Sequence, residues 1–189
     1  KTSIRTPSRK QEVIDSISKV VDCKNKLEIC LLDLLVDEGW DDAIKGCKYV
    51  IHAASPVSLL STNNIDDLVK PALEGLKRCL FSSIKNNVKR FIMTSSFSAV
   101  GAGSRKTEMN DDDWTNLDSQ NISPYDVSKT KAEIFLWDYT KNIDKKNKIE
   151  VCSINPVIVV GPSLSNDIGV SNQVIKKLLD GSIKFTPYC

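Results

Sequence analysis

The 189 residues include 26 basic and 24 acidic side chains, for a net charge of +2, and are 41% hydrophobic and 26% charged, the make-up of one globular core. That balance excludes disordered and fibrous classes and lacks the concentrated positive field of a dedicated nucleic-acid binder. The basic group Lys141, Lys145, Lys146 and Lys148 follows a predicted helix, where lysines complement the negative dipole end, so it reads as a solvated helix end.

No apolar run approaches the roughly 18 residues of a membrane span, and no signal peptide stands at the start. The sequence begins with Lys1, not Met, which is the expectation for an incomplete gene product. The six cysteines, Cys23, Cys30, Cys47, Cys79, Cys152 and Cys189, form no C-x-x-C pair, and with one histidine in the sequence they argue against a metal site. Several fall within apolar runs as buried free thiols do, so a reducing compartment and a cytoplasmic protein are expected.

Taken in order, residues 2–6 read as the end of a strand. Residues 10–21 carry Val13, Ile14, Ile17, Val20 and Val21 at helical spacing. Residues 27–32 form a short apolar strand ending at Asp33, residues 38–45 a brief helix, and residues 49–53 a further strand. A long helix over 66–86, a strand over 90–94, a helix over 124–142, a strand over 150–154 and a helix over 170–179 complete the alternation. Strands alternating with helices predict a parallel sheet covered on both faces, with ligands beyond the carboxyl ends of the strands. The fold class is therefore α/β, a Rossmann-like doubly wound sheet. Residues 97–123, rich in Gly, Ser, Asn and Asp, are the long irregular segment, and Gly101-Ala102-Gly103 within it reads as a flexible loop.

Residues 124–133 concentrate the chemistry. Ser123 can cap the helix, Pro124 suits its first position, and Asp126 favours the positive end of the dipole. Tyr125 and Lys129 stand four residues apart, so phenol and ammonium share one helix face and can converge on one bound molecule. A nearby ammonium and a helix N-terminus both favour a phenolate, which suits a tyrosine to general acid/base work.

With Tyr125-x-x-Ser128-Lys129-x-x-Ala132-Glu133, the upstream Thr94-Ser95-Ser96 and the downstream Asn155-Pro156, the chain resembles the extended short-chain dehydrogenase/reductases of the NAD-dependent epimerase/dehydratase superfamily. Within them it is most similar to the branch of dihydroflavonol reductases, cinnamoyl-CoA reductases and related ketone or aldehyde reductases, over residues 2–181. The resemblance implies a catalytic triad of Ser96, Tyr125 and Lys129 that reduces a small-molecule carbonyl, with Lys129 also holding the nicotinamide ribose. It assigns Arg5, Asp33, Leu34, Ala53, Ala54, Ser55 and Pro156 to the cofactor, together with Tyr125 and Lys129. Arg5 stands where NAD-selective relatives often place an acidic residue. With Arg9 and Lys10 near it, NADP is favoured over NAD. His52 reads as a core or strand-end histidine, and no metal is implied.

Two departures qualify this reading. The glycine-rich turn with which the family begins is absent, so the resemblance implies residues 1–189 are a partial NAD(P)-binding Rossmann domain missing its first strand. That strand's place is between the strand ending at Arg5 and the one ending at Ala53. Only the start of the substrate-binding region is expected near the C-terminus. Plant dihydroflavonol reductases carry a substrate-reading Asn or Asp five residues beyond the catalytic serine, where this chain has Gly101, which points away from a flavonoid. Two other readings stay open, a sugar-nucleotide epimerase or dehydratase on the same triad and a non-catalytic nucleotide-binding relative. Relatives often pair through helices at the sheet edge, so the resemblance admits a homodimer without requiring one.

Overall fold

The computed structural model describes residues 1–23, 25–57, 64–143 and 149–183. Five short parallel strands alternate with helices: β1 (Thr2–Ile4), α1 (Lys10–Ser18), β2 (Ile29–Leu31), α2 (Trp40–Ile44), β3 (Tyr49–His52), α3 (Asp66–Lys85), β4 (Arg90–Thr94), α4 (Pro124–Lys141), β5 (Glu150–Ile154) and α5 (Gly169–Leu179). Each strand the sequence predicts is present. Three of the basic residues noted above, Lys145, Lys146 and Lys148, and also Cys189, lie outside the described residues.

The strands form two parallel sheets. β1 pairs with β2, Ile4 beside Leu31, and β3, β4 and β5 form a second sheet in that order, with Val50 beside Phe91 and Phe91 beside Val151. Between β1 and β3 runs a slot of about 310 Å³, lined by Thr2 and Ser3 on one side and by Tyr49, Val50, Ile51 and His52 on the other. The expected position of a further strand is where this slot lies. On the β3 side Tyr49 and Ile51 are exposed, which is unusual for apolar residues of a parallel sheet.

The core lies under the larger sheet. α3 presents Leu68, Val69, Ala72, Leu76, Cys79 and Leu80 at intervals of three and four, so one stripe faces inward, and it meets Phe91 and Met93 of β4 and Ala132 and Leu136 of α4. Leu76, Leu80, Phe91 and Leu136 are fully buried, each contributing about 1.5–3 kcal/mol of burial. Trp40 and Ile44 of α2 close the stripe at one end. α1 buries no residue. It ends at Ser18, short of the predicted residue 21, and Val20 and Val21, though in helical register, stay exposed because none of the described residues covers them.

The segment expected to be irregular is partly built. Phe97–Ala99 form a 3₁₀ turn capped by the Ser96 hydroxyl, and Thr115 pins the loop by donating to the Ser98 carbonyl and accepting from the Ala102 N–H, both at 2.8 Å. Gly101 is buried, and a Cβ there would meet Phe97 Cζ at 2.7 Å and Met109 Cε at 2.9 Å. The flexible loop expected around Gly101 is thus corrected to a packed turn.

Candidate active site

The residues singled out in the sequence sit at one end of the sheets, just past the carboxyl ends of the strands: Arg5 after β1, Asp33 and Leu34 after β2, Ala53 to Ser55 after β3, Ser96 after β4 and Pro156 after β5. Strand ends gather loops there because the helices return chain to the opposite side, which leaves a crevice open to a ligand. A cavity of about 730 Å³ joins Arg5, Asp33, Leu34, Ala54 and Ser55, with Arg9 and Pro71 on its wall. Ala53 lines the neighbouring slot, which Ala54 shares.

Within this cavity the groups have different duties. Arg9 is held by a bidentate pair with Glu12, whereas Arg5 has no ion pair among the described residues. Asp33 accepts from the Leu35 N–H at 2.8 Å and so shapes the turn after β2. Leu34 lies against Gly75 of α3, where a Cβ would come within 2.3 Å of Leu34 Cδ2, so α3 and this turn touch because position 75 has no side chain. Ser55 Oγ is buried without a hydrogen-bond partner among the described residues. A buried hydroxyl and a guanidinium without an anionic partner form a donor set suited to an anion.

The helix that bears Tyr125 begins as its local sequence requires. Ser123 Oγ accepts from the Asp126 N–H, and the Asp126 carboxylate accepts from the Ser123 N–H at 2.7 Å, a capping box with Pro124 at the first position. The inward face of α4 is unusually polar: Ser128, Lys129, Thr130 and Glu133 are all buried. Each is bonded. Ser128 donates to the Tyr125 carbonyl and Thr130 to the Asp126 carbonyl at 2.7 Å, and Lys129 Nζ donates to the Thr94 carbonyl at 3.2 Å.

That last bond carries the Lys129 ammonium to the end of β4, two residues before Ser96. Its Nζ lies 5.8 Å from the centre of the Tyr125 ring. Burial pushes the Lys129 pKa down to about 8, against the opposing pull of Glu133. Ser96 Oγ accepts from the Ser98 N–H at 3.2 Å, which leaves its own proton free to donate. His52 is buried and stacked on Phe91, with its pKa lowered to about 4, first by burial and then by the Lys129 charge, so it is a neutral strand-end residue.

The structure thus gathers its site residues in two groups, one around the 730 Å³ cavity and one where β4 meets α4. Pro156 belongs to neither, its carbonyl accepting from the Phe97 N–H at 2.9 Å. Glu133 and Asn155 stand in the motifs of the sequence, Asn155 with Pro156 where relatives close over the nicotinamide, but the sequence assigns them no link to each other. Asn155 Nδ2 donates to Glu133 Oε2 at 2.8 Å and to the Ser96 carbonyl at 3.1 Å. The available signal was the further step of four from Lys129 to Glu133, which puts phenol, ammonium and carboxylate on one face.

Parallel strands with flanking helices and loops gathered at the strand ends define an α/β protein of the Rossmann type. The chain belongs to the 3-beta hydroxysteroid dehydrogenase/isomerase family, which matches residues 7–183. Among curated relatives it is 32% identical to cinnamoyl-CoA reductase 2 of Medicago truncatula, over 85% of this chain and 47% of the relative. It is 29% identical to anthocyanidin reductase of Arabidopsis thaliana, over 88% and 50% respectively. The chain spans about half the length of the curated relatives it matches. Among solved structures it is similar to yeast methylglyoxal/isovaleraldehyde reductase Gre2 complexed with NADPH, with a TM-score of 0.70, 26% identity, and coverage of 85% of this chain and 51% of that one. No described helix is long and apolar enough to cross a membrane.

Proposed function

We propose that the protein to which this chain belongs reduces a ketone or aldehyde with NADPH, the chain supplying the dinucleotide-binding domain and the start of the substrate-binding region. The observation that carries this reading is the buried Lys129 ammonium, fixed to the Thr94 carbonyl beside the Tyr125 ring on a capped helix. A lysine is costly to bury, and a phenol beside it is the group its charge would serve.

Bound NADPH supplies a hydride to the carbonyl carbon. Tyr125 gives its phenolic proton to the carbonyl oxygen as negative charge develops there. Lys129 lowers the cost of the resulting phenolate by its positive charge, and its ammonium also suits it to the nicotinamide ribose hydroxyls. Ser96 donates its free proton to the same carbonyl oxygen while its own oxygen stays tied to the Ser98 N–H. Arg5, with its fork of donors, would hold a 2′-phosphate, and the buried Ser55 hydroxyl would give a further donor on the cavity wall. Asp33, Leu34, Ala53 and Ala54 would line the adenosine side of the bound cofactor, and Pro156, which lies outside both groups, would meet its nicotinamide side.

The substrate is not read by a side chain at position 101, where Phe97 and Met109 fill the space an Asn or Asp would need. This favours a general carbonyl substrate over a flavonoid. The test is NADPH oxidation with a panel of ketones and aldehydes, run beside UDP- and dTDP-sugars, for the wild type and Tyr125→Phe. Carbonyl-dependent oxidation that falls by about 10²- to 10⁴-fold in Tyr125→Phe, with NADPH binding kept, is expected. Full turnover by Tyr125→Phe, or conversion of the sugar nucleotides alone, would overturn the reading.

A further inference from the structure

Glu133 is a buried carboxylate for which the steps above have no use. Its Oε1 accepts from Trp137 Nε1 at 3.3 Å and its Oε2 from Asn155 Nδ2 at 2.8 Å. Asn155 is fully engaged: its Oδ1 accepts from Ser153 Oγ at 2.8 Å, and its Nδ2 also donates to the Ser96 carbonyl at 3.1 Å. The path therefore runs from α4 through Glu133 to the end of β5 at Asn155, and from there to the backbone of Ser96 at the end of β4. A second tie crosses from the same helix face, Lys129 to the Thr94 carbonyl. Tyr125, Lys129 and Glu133 follow one another at steps of four, so a single α4 face carries all three groups.

We propose that Glu133 is a positioning residue, the anchor that ties the α4 face bearing Tyr125 and Lys129 to the ends of β4 and β5 through Asn155, and the counter-charge of Lys129. This rests on the reductase reading. The geometry explains why a carboxylate stands there at all. If only packing mattered, an apolar residue of the same size at position 133 would avoid the desolvation of a charge. If only a bond to Asn155 mattered, a neutral amide would suffice. A carboxylate accepts from the amide and, one turn along the same helix face, sets a negative charge near the buried ammonium without forming an ion pair with it.

The groups that face Lys129 bear on its charge state. Among the described residues, from β3 comes His52, neutral above about pH 4; from β4, the Thr94 carbonyl; from α4, the Tyr125 ring and the Glu133 carboxylate. Glu133 is the group that raises the Lys129 pKa against burial, so its charge sets how alkaline the medium can become before the ammonium is lost.

Two variants separate the roles. Glu133→Gln keeps an oxygen for Asn155 and removes the charge. In carbonyl reduction followed through NADPH, the alkaline limb of kcat/KM, expected near pH 8 in the wild type from the burial of Lys129, should move down by about one unit in the variant. Asn155→Ala keeps the charge and cuts the tie. It is expected to lower kcat about tenfold to a hundredfold at all pH values, with the limb unmoved.

A readout independent of turnover comes from His52, whose titration feels the Lys129 charge. Its proton NMR signal should show a step near pH 8 that moves down in Glu133→Gln. If the wild type reduces no carbonyl, the reductase reading fails, and the His52 titration still decides the role of Glu133. An unmoved step in Glu133→Gln, or unchanged kcat in Asn155→Ala, would overturn the proposal. If Glu133→Gln does not fold, the Asn155→Ala result stands on its own.

Discussion

Replacing Lys129 with methionine is expected to make the protein more stable and inactive together. The Lys129 pKa is lowered from 10.5 to about 8 by burial. At about 1.4 kcal/mol per unit, keeping the ammonium charged inside the fold costs roughly 3 kcal/mol below pH 8. Methionine fills a similar volume without charge but gives up the bond to the Thr94 carbonyl, worth about 1 kcal/mol. The net gain at pH 7 is then about 2 kcal/mol, or a rise in Tm of roughly 4–8 °C. Between about pH 8 and 10.5 the unfolded chain binds the proton that the folded one has released, so wild-type stability climbs with pH through that window and the advantage of the variant fades. Urea unfolding of both proteins at pH 7 and pH 9.5, with carbonyl reduction measured in parallel, reads the effect. A variant less stable than wild type at pH 7, or an advantage that grows with pH, would refute the reasoning.

Arg5→Ala should weaken NADPH much more than NADH, because this guanidinium on the cavity wall, with no ion pair among the described residues, is the group suited to a 2′-phosphate; fluorescence titration with both nucleotides checks this, and equal loss of both would count against it. Gly101→Asn should destabilise the protein by about 1–3 kcal/mol, since a Cβ there meets Phe97 and Met109 below 3.0 Å, as thermal melts would report. The 189 residues expressed alone should bind NADPH weakly, because β1 and β3 each present an open edge to the slot between them. Low-micromolar stoichiometric binding by a cooperatively unfolding monomer, measured by calorimetry, would contradict that.

What could be read in advance was what local chemistry decides. Ser123, Pro124 and Asp126 specify a helix start within four residues, and the capping box forms as that pattern dictates. Tyr125 and Lys129 share a face by helical geometry alone. The order of strands could be read because apolar runs alternate with amphipathic ones. Val20 and Val21 were misleading, since periodicity reports a face but not whether anything lies against it. Gly101 likewise became a packed turn through Phe97 and through Met109, eight residues further on. The Asn155–Glu133 bond joins residues 22 apart and depends on β5 settling beside β4, a fact of tertiary pairing that no local pattern contains.

The uneven placement of the core has a bearing on how the molecule breathes. Phe91, Leu76, Leu80 and Leu136 bind β4, α3 and α4 into one cooperative unit, whereas α1 buries nothing and β1, among the described residues, pairs with β2 alone. Amide protons of the larger sheet are therefore the ones that exchange only on global unfolding, while those of β1 and α1 exchange through local opening at far lower free energy. Arg5 sits on that looser half and Ser55 on the firmer one, across a single cavity. A ligand that grips both must first hold the loose half still, and in doing so it links its own affinity to the ordering of β1 and α1.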